Sequence, residues 1–321
     1  MKKKRLFFAA FLSLVFGLVC LSSCNQSTVL SSTFFAFDTM ISIKLYEGES
    51  SDLTSLESLL KKIGKLSDPY TDSEEKNVYY LNKYRKVTDL DPLLEEMLEG
   101  ALLFSRETNG AFSPLLGDLT SLYKEQLAKG NVPSNEEIQL RLQEAKESSY
   151  VVSNGTFTLT GKGDLDLGAV AKGFALKKAK EYLVSKNITK YLIDGGGSSI
   201  LLGEKPSGDN TFSVSFADIS GAYIKKKNVC VSTSSISEQS YEIGGVTYSH
   251  IINPFNGSAL PIRTMVSYLC EDPFKGDAYV TAMFTQEDQQ VPSLLSKGEE
   301  VVLFDGKKIT YQSDSLEIFH Q

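Results

Sequence analysis

Asp164-Leu165-Asp166-Leu167-Gly168-Ala169-Val170-Ala171-Lys172-Gly173-Phe174-Ala175 turns a short acidic approach into a helix predicted from about Val170 to Lys186. Gly168 and Gly173 let backbone come close to a ligand, and a helix start followed by Lys172 offers amide donors and positive charge to phosphate. The spacing is not the Gly-x4-Gly-Lys-Ser/Thr of a P-loop, so a solvent-facing lysine is the plain alternative. After this helix, Tyr191 to Ile193 reads as a strand that ends in Asp194-Gly195-Gly196-Gly197-Ser198. Three glycines free backbone amides for an anion-binding nest or admit a flat ring; a simple glycine turn is the alternative. No helix opens at these glycines, which excludes a Rossmann reading.

Outward from this core, Phe34 to Tyr46 alternates apolar and polar residues and predicts one half-buried strand. A helix capped by Ser51 or Asp52 follows and ends at Asp68-Pro69, leaving a loop from Asp68 to Lys76 that carries Tyr70. Asp91-Pro92 opens a second helix that stops at Asn109-Gly110, and Ser134 with Glu137 forms the capping box of a third. Asn154-Gly155 marks a hairpin. Beyond Phe212, short strands dominate until a last helix near Asp277 to Phe284. Strands and helices that mix without regular alternation give an α+β fold.

Two further groups carry chemistry. Asp277 and Thr281 stand at i and i+4, on one helix face near its predicted start. Hard oxygens in that arrangement suit Mg²⁺, although an Asp near a helix start also serves as a cap. Imidazole chemistry falls almost entirely on His250, because the only other histidine is the penultimate residue, His320. A histidine titrating near neutrality can take a proton from an attacking hydroxyl, or it can be a hydrogen-bonded structural residue.

The N-terminus predicts location. Lys2, Lys3, Lys4 and Arg5 precede an apolar run from Leu6 to Val19, too short to span a bilayer comfortably, as in an export signal. Leu21-Ser22-Ser23-Cys24 resembles a lipobox, so residues 1–23 are expected to be removed and Cys24 lipidated, anchoring the protein on the extracytoplasmic face of a membrane. Bulky residues before Cys20 make it the weaker candidate, and an ordinary cleaved signal is the alternative. Residues 24–32 read as a flexible tether and 33–321 as the folded domain. With 41% hydrophobic and 23% charged residues the chain is globular, and a net charge of −7 argues against a nucleic-acid partner. Cys230 and Cys270 remain after processing; both sit in apolar strands, which favours buried thiols over a single bridge.

Taken in order, these elements resemble the ApbE family of FAD:protein FMN transferases. Phe37 to Met40, Asp72-Ser73 through Leu81-Asn82, Asp166 to Ala175, Ile193 to Gly197, Val231 to Ser234, His250 to Gly257 and Gly276 to Phe284 carry the resemblance. It implies a mixed α/β fold with FAD held between two closely packed lobes and Mg²⁺ bound by Asp277, Thr281 and the carbonyl of Ala169. Lys172 is then a phosphate contact, and Met40 and Tyr70 face the aromatic rings. Asp164 or Asp166, and the nest of Gly195, Gly196 and Gly197, supply hydrogen bonds. The implied reaction moves FMN from FAD to a Ser or Thr hydroxyl of an exported acceptor protein, with His250 as base and AMP leaving. Where the family usually has His-Ile-Ile-Asp-Pro-Arg-Thr-Gly, this chain carries Asn253, Phe255 and Asn256. Two rival readings are an Mg²⁺-dependent FAD pyrophosphatase, and a flavin-binding lipoprotein without turnover.

Overall fold

The structure is a computed structural model that describes residues 29–321 apart from Glu74. The expected signal segment and Cys24 lie outside the described residues. Strands β1 (Leu30–Ala36) and β2 (Thr39–Leu45) form a hairpin where the alternation predicts one strand. Periodicity could not show the break, because Phe37 and Asp38 turn the chain at φ 53 and 56 without the Asn-Gly signature of such turns. Residues 30 to 32, expected to belong to the tether, are part of β1.

Helix α1 (Ser50–Leu66) starts one residue before the predicted cap, with Asp52 Oδ2 accepting the Glu49 N–H at 2.8 Å. It buries Leu56, Leu60, Ile63 and Leu66 at helical spacing. Helix α2 (Val78–Tyr84) and strand β3 (Lys86–Val87) precede α3 (Pro92–Glu107), which Asp91 caps as predicted. Then come α4 (Gly117–Ala128), α5 (Asn135–Lys146), β4 (Ser149–Ser153), β5 (Thr156–Thr160) and α6 (Gly168–Ser185). Neither α2 nor α4 announces itself in sequence. The first is short, and the second opens at Gly117 with no side-chain cap.

The second half holds β6 (Tyr191–Asp194), β7 (Ser199–Leu202), β8 (Phe212–Ser215), β9 (Ala222–Lys226), β10 (Val229–Ser235), β11 (Ser240–Ile243) and β12 (Val246–Ser249). It closes with β13 (Met265–Cys270), α7 (Pro273–Phe284), β14 (Glu300–Phe304), β15 (Ile309–Gln312) and β16 (Phe319–His320). Eight strands pair in the order β1-β2-β6-β7-β10-β13-β14-β15, antiparallel throughout. Helices α1, α6 and α7 share a core with one face of this sheet, including Ile43, Ile193, Leu201 and Tyr268. The small β16-β9-β8 sheet packs on the other face against Leu202, Val231 and Leu269. The architecture is therefore α+β, with both sheet faces covered. Cys230 and Cys270 stand directly opposite in β10 and β13 as buried free thiols.

Two features position the site. Asp272 caps α7 and Pro273 occupies its first turn, so the helix begins four residues before Asp277. Asp277 is thus not a cap, contrary to the alternative left open by sequence. A satellite cluster of Leu119, Tyr123 and Leu127 on α4, Leu142 on α5, and Ile252 and Ala259 seats the segment after His250. Tyr123 donates to the Gly257 carbonyl at 2.9 Å and Lys146 Nζ to that of Phe255 at 2.8 Å.

Candidate active site

A cavity of about 1030 Å³ opens between the α6–α7 corner, the β1–β2 turn, α4 and the segment around His250. It stands at the upper end of the roughly 300–1,000 Å³ range of small-molecule sites. A dinucleotide fits that space better than a single small metabolite.

The inner wall is built around Asp277, which is only 5% exposed yet lines the cavity. Its Oδ1 accepts the Ser199 hydroxyl at 2.8 Å and the Ser232 hydroxyl at 2.9 Å; its Oδ2 accepts the Gly173 N–H at 2.6 Å. These contacts join α7 to β7, β10 and α6. Burial pushes the carboxyl upward, while Lys172 and these donors pull it down. Gly173 is required there: a Cβ would overlap the Pro273 carbonyl and lie 2.8 Å from Asp277 Cγ. The N–H that reaches Asp277 is also the one the helical ladder directs at the carbonyl of Ala169. Ala169, Asp277 and Thr281 all line the cavity. Thr281 Oγ1 donates to the Asp277 carbonyl at 2.9 Å, which leaves its oxygen lone pairs as acceptors. One carboxylate, one carbonyl and one hydroxyl form a hard-oxygen set that fits Mg²⁺ and leaves positions for phosphate and water.

Lys172 and Asp166 line the same wall; Lys172 Nζ donates to Ser198 Oγ and Asp166 Oδ1 accepts the Gly168 N–H at 2.8 Å. Burial raises the Asp166 carboxyl above its ordinary range. On the outer side, His250 is half-buried and its Nδ1 stands 2.8 Å from the Gln239 carbonyl. A carbonyl only accepts, so the neutral ring carries its proton on Nδ1 and leaves Nε2 as an acceptor. Burial first, then the charge of Lys172, hold this imidazole below the usual histidine value.

Several sequence expectations shift. Met40 is 53% exposed and does not line the cavity, which instead meets Asp38 and Thr39 at the turn. Asp164 faces away, paired with Arg85 at 2.7 Å beside a small side recess. Burial and the neighbouring Asp118 push its carboxyl up to about 6. The glycine nest is not available as such. Gly195 N–H donates to the Ser199 carbonyl and Gly197 N–H to Asp194 Oδ1, so Gly196 alone of the three lines the cavity. Tyr70 is present at the wall, 43% exposed.

Sequence reasoning missed Ala111, Phe112 and Ser113, which line the cavity just beyond α3, and Glu238 on the β10–β11 connection. Burial moves the Glu238 carboxyl up to about 7. The hydroxyls of Ser199 and Ser232 were also missed as Asp277 partners. A serine in a strand carries no local mark of what it will face.

The ApbE family model matches residues 37–304. The chain belongs to the ApbE family. Among curated relatives, the FAD:protein FMN transferase of Klebsiella pneumoniae (strain 342) is 25% identical over 266 residues, 81% of this chain and 83% of that protein. The enzyme of the same name from Treponema pallidum (strain Nichols) is 29% identical over 219 residues, 61% of this chain and 60% of its own length. Solved structures share the fold. The ApbE protein of Thermotoga maritima superposes with a TM-score of 0.76 at 22% identity, covering 89% of this chain and 97% of that one. The Vibrio cholerae flavin transferase ApbE gives 0.70 at 19% identity, with 89% and 98% covered.

Proposed function

We propose that this ApbE-family chain transfers FMN from FAD to a Ser or Thr hydroxyl of an exported acceptor protein, with Mg²⁺ as cofactor. The observation that carries the reading is the Asp277 corner, where a buried carboxylate is held by three donors and lines a nucleotide-sized cavity together with Ala169 and Thr281. Such a corner costs desolvation of a charge, and a bound cation offsets that cost. Mg²⁺ bound there supplies positive charge to the diphosphate and to the departing phosphate oxygen.

The chain's own groups do the rest. Lys172 adds a cation beside the Ser198 hydroxyl, Asp166 stiffens the start of α6, and Tyr70 offers a ring face to a flat substrate. His250 takes the proton of the acceptor hydroxyl on Nε2 while Gln239 fixes the ring through Nδ1. The acceptor oxygen forms a bond to the phosphorus on the FMN side. The bond from that phosphorus to the bridging oxygen breaks, and AMP leaves with that oxygen. Lipidation at Cys24 and a membrane location belong to the same proposal and rest on the N-terminal sequence alone.

Incubating the protein with FAD, Mg²⁺ and a candidate acceptor separates the readings. Covalent flavin on the acceptor together with AMP supports transfer; free FMN with AMP points to hydrolysis; retention of intact FAD points to capture without turnover.

A further inference from the structure

Lys61, Lys65 and Lys124 line the cavity with no part in the proposed reaction, and Lys124 is the one of these three held against the Tyr70 ring. It projects from α4, whose Thr120, Tyr123 and Leu127 also line the cavity. The next lysine along the chain, Lys129, pairs with Glu125 at 2.6 Å. Lys124 does something else: its Nζ stands 4.0 Å from the centroid of the Tyr70 ring. That is well inside the range of a cation held by an aromatic face.

The side of the ring matters. Tyr70 is a partition, lining both the main cavity and the small polar recess formed with Asn82, Ser121 and Asp164. Lys124 lines the cavity and not the recess. The recess, about 40 Å³, is too small for a flat ring, so a ring that stacks on Tyr70 comes from the cavity that Lys124 also lines.

Resting on the flavin reading above, we propose that Lys124 is a specificity-determining residue that favours phosphate-bearing flavins over the bare flavin ring. A ring that stacks on Tyr70 must displace the ammonium and forfeit its attraction to the aromatic face. A flavin without phosphates gives nothing in return. FAD brings a dianionic diphosphate, and a lysine on a flexible four-carbon stem can follow that charge once released. The same displacement thus opposes one ligand and is compensated for the other.

The test titrates riboflavin and FAD, without Mg²⁺ so that nothing turns over, into the wild-type protein and Lys124→Met, reading flavin fluorescence quenching. Methionine keeps the stem, suits a helix and removes the charge. Riboflavin is expected to bind about two- to fivefold more tightly to the variant, the worth of an exposed cation–π contact. FAD is expected to bind at least about twofold more weakly, through the lost charge. In a Tyr70→Leu background the riboflavin gain from Lys124→Met should vanish, since there is no ring to uncover. Normal flavin binding by wild type with riboflavin unchanged or weakened in Lys124→Met, or with an unaltered FAD-to-riboflavin preference, overturns the role of Lys124 alone. Wild-type protein that quenches neither flavin overturns the flavin reading, and this inference with it.

Discussion

Asp277 and His250 face one cavity from contrasting supports. Asp277 stands on a helix buried along most of its length, and its carboxylate is tied to two strands and a second helix. His250 sits on irregular chain just beyond β12, half-buried, and a single carbonyl contact fixes its ring. The first is preorganised by the core, where side chains are over-determined by packing. The second depends on loops seated by the α4–α5 cluster. In the proposed reaction, the nucleotide is handled by the tightly tied part of the site and the acceptor is met by the part seated on loops.

The largest expected effect lies at the tightly tied corner. Asp277→Ala should lower flavin transfer by at least about 10³-fold, roughly 4 kcal/mol, because the only carboxylate among the three proposed metal oxygens is gone. Circular dichroism should show the fold retained. Activity within about threefold of wild type removes the metal assignment. At the loop-seated side, His250→Ala is expected to cost about 10²- to 10⁴-fold in transfer while FAD affinity holds. The wild-type rate should fall as pH drops through the imidazole pKa, since imidazolium cannot accept a proton. Burial holds that pKa below the ordinary histidine value, so the acid limb should lie below that of a free imidazole. A limb at or above the free value, or a variant that binds FAD weakly but transfers normally at saturation, assigns His250 to positioning.

The supports of Asp277 offer a finer cut. Ser232→Ala removes one hydroxyl donor to the Asp277 carboxylate while leaving all three proposed metal ligands in place, and an effect of about 10- to 100-fold on the Mg²⁺ concentration for half-maximal rate is expected. No change shows that the carboxylate needs only its other two donors. The smallest effect belongs to the β1–β2 turn. Asp38 is held at φ 56, where glycine carries no Cβ strain, so Asp38→Gly should raise stability to urea by up to about 1 kcal/mol. A destabilised variant instead shows that the Asp38 side chain, together with the freedom glycine adds to the unfolded chain, outweighs the backbone strain.

How much of this was legible follows the same contrast. Features decided within a few residues could be read: the Ser134–Glu137 capping box, the Asn154-Gly155 hairpin, the start of α6 and the placement of Asp277 and Thr281 at i and i+4 of one helix. The Phe37-Asp38 turn could not, because its residues lack the usual turn chemistry. Ser199, Ser232 and Lys124 gain meaning only from partners at long separation: 78 residues from Ser199 to Asp277 and 45 from Ser232. The glycine run misled for a related reason. Its flexibility is visible in sequence, but the acceptors that consume two of its three N–H groups are not.

The most direct measurement is the mass of an acceptor protein after incubation with the chain, FAD and Mg²⁺, run beside a quantitation of AMP. The proposed transfer requires covalent FMN on a Ser or Thr of the acceptor in equal amount to the AMP released, with both abolished by EDTA and restored by Mg²⁺. AMP accompanied only by free FMN, or acceptor labelling that continues undiminished in EDTA, contradicts it.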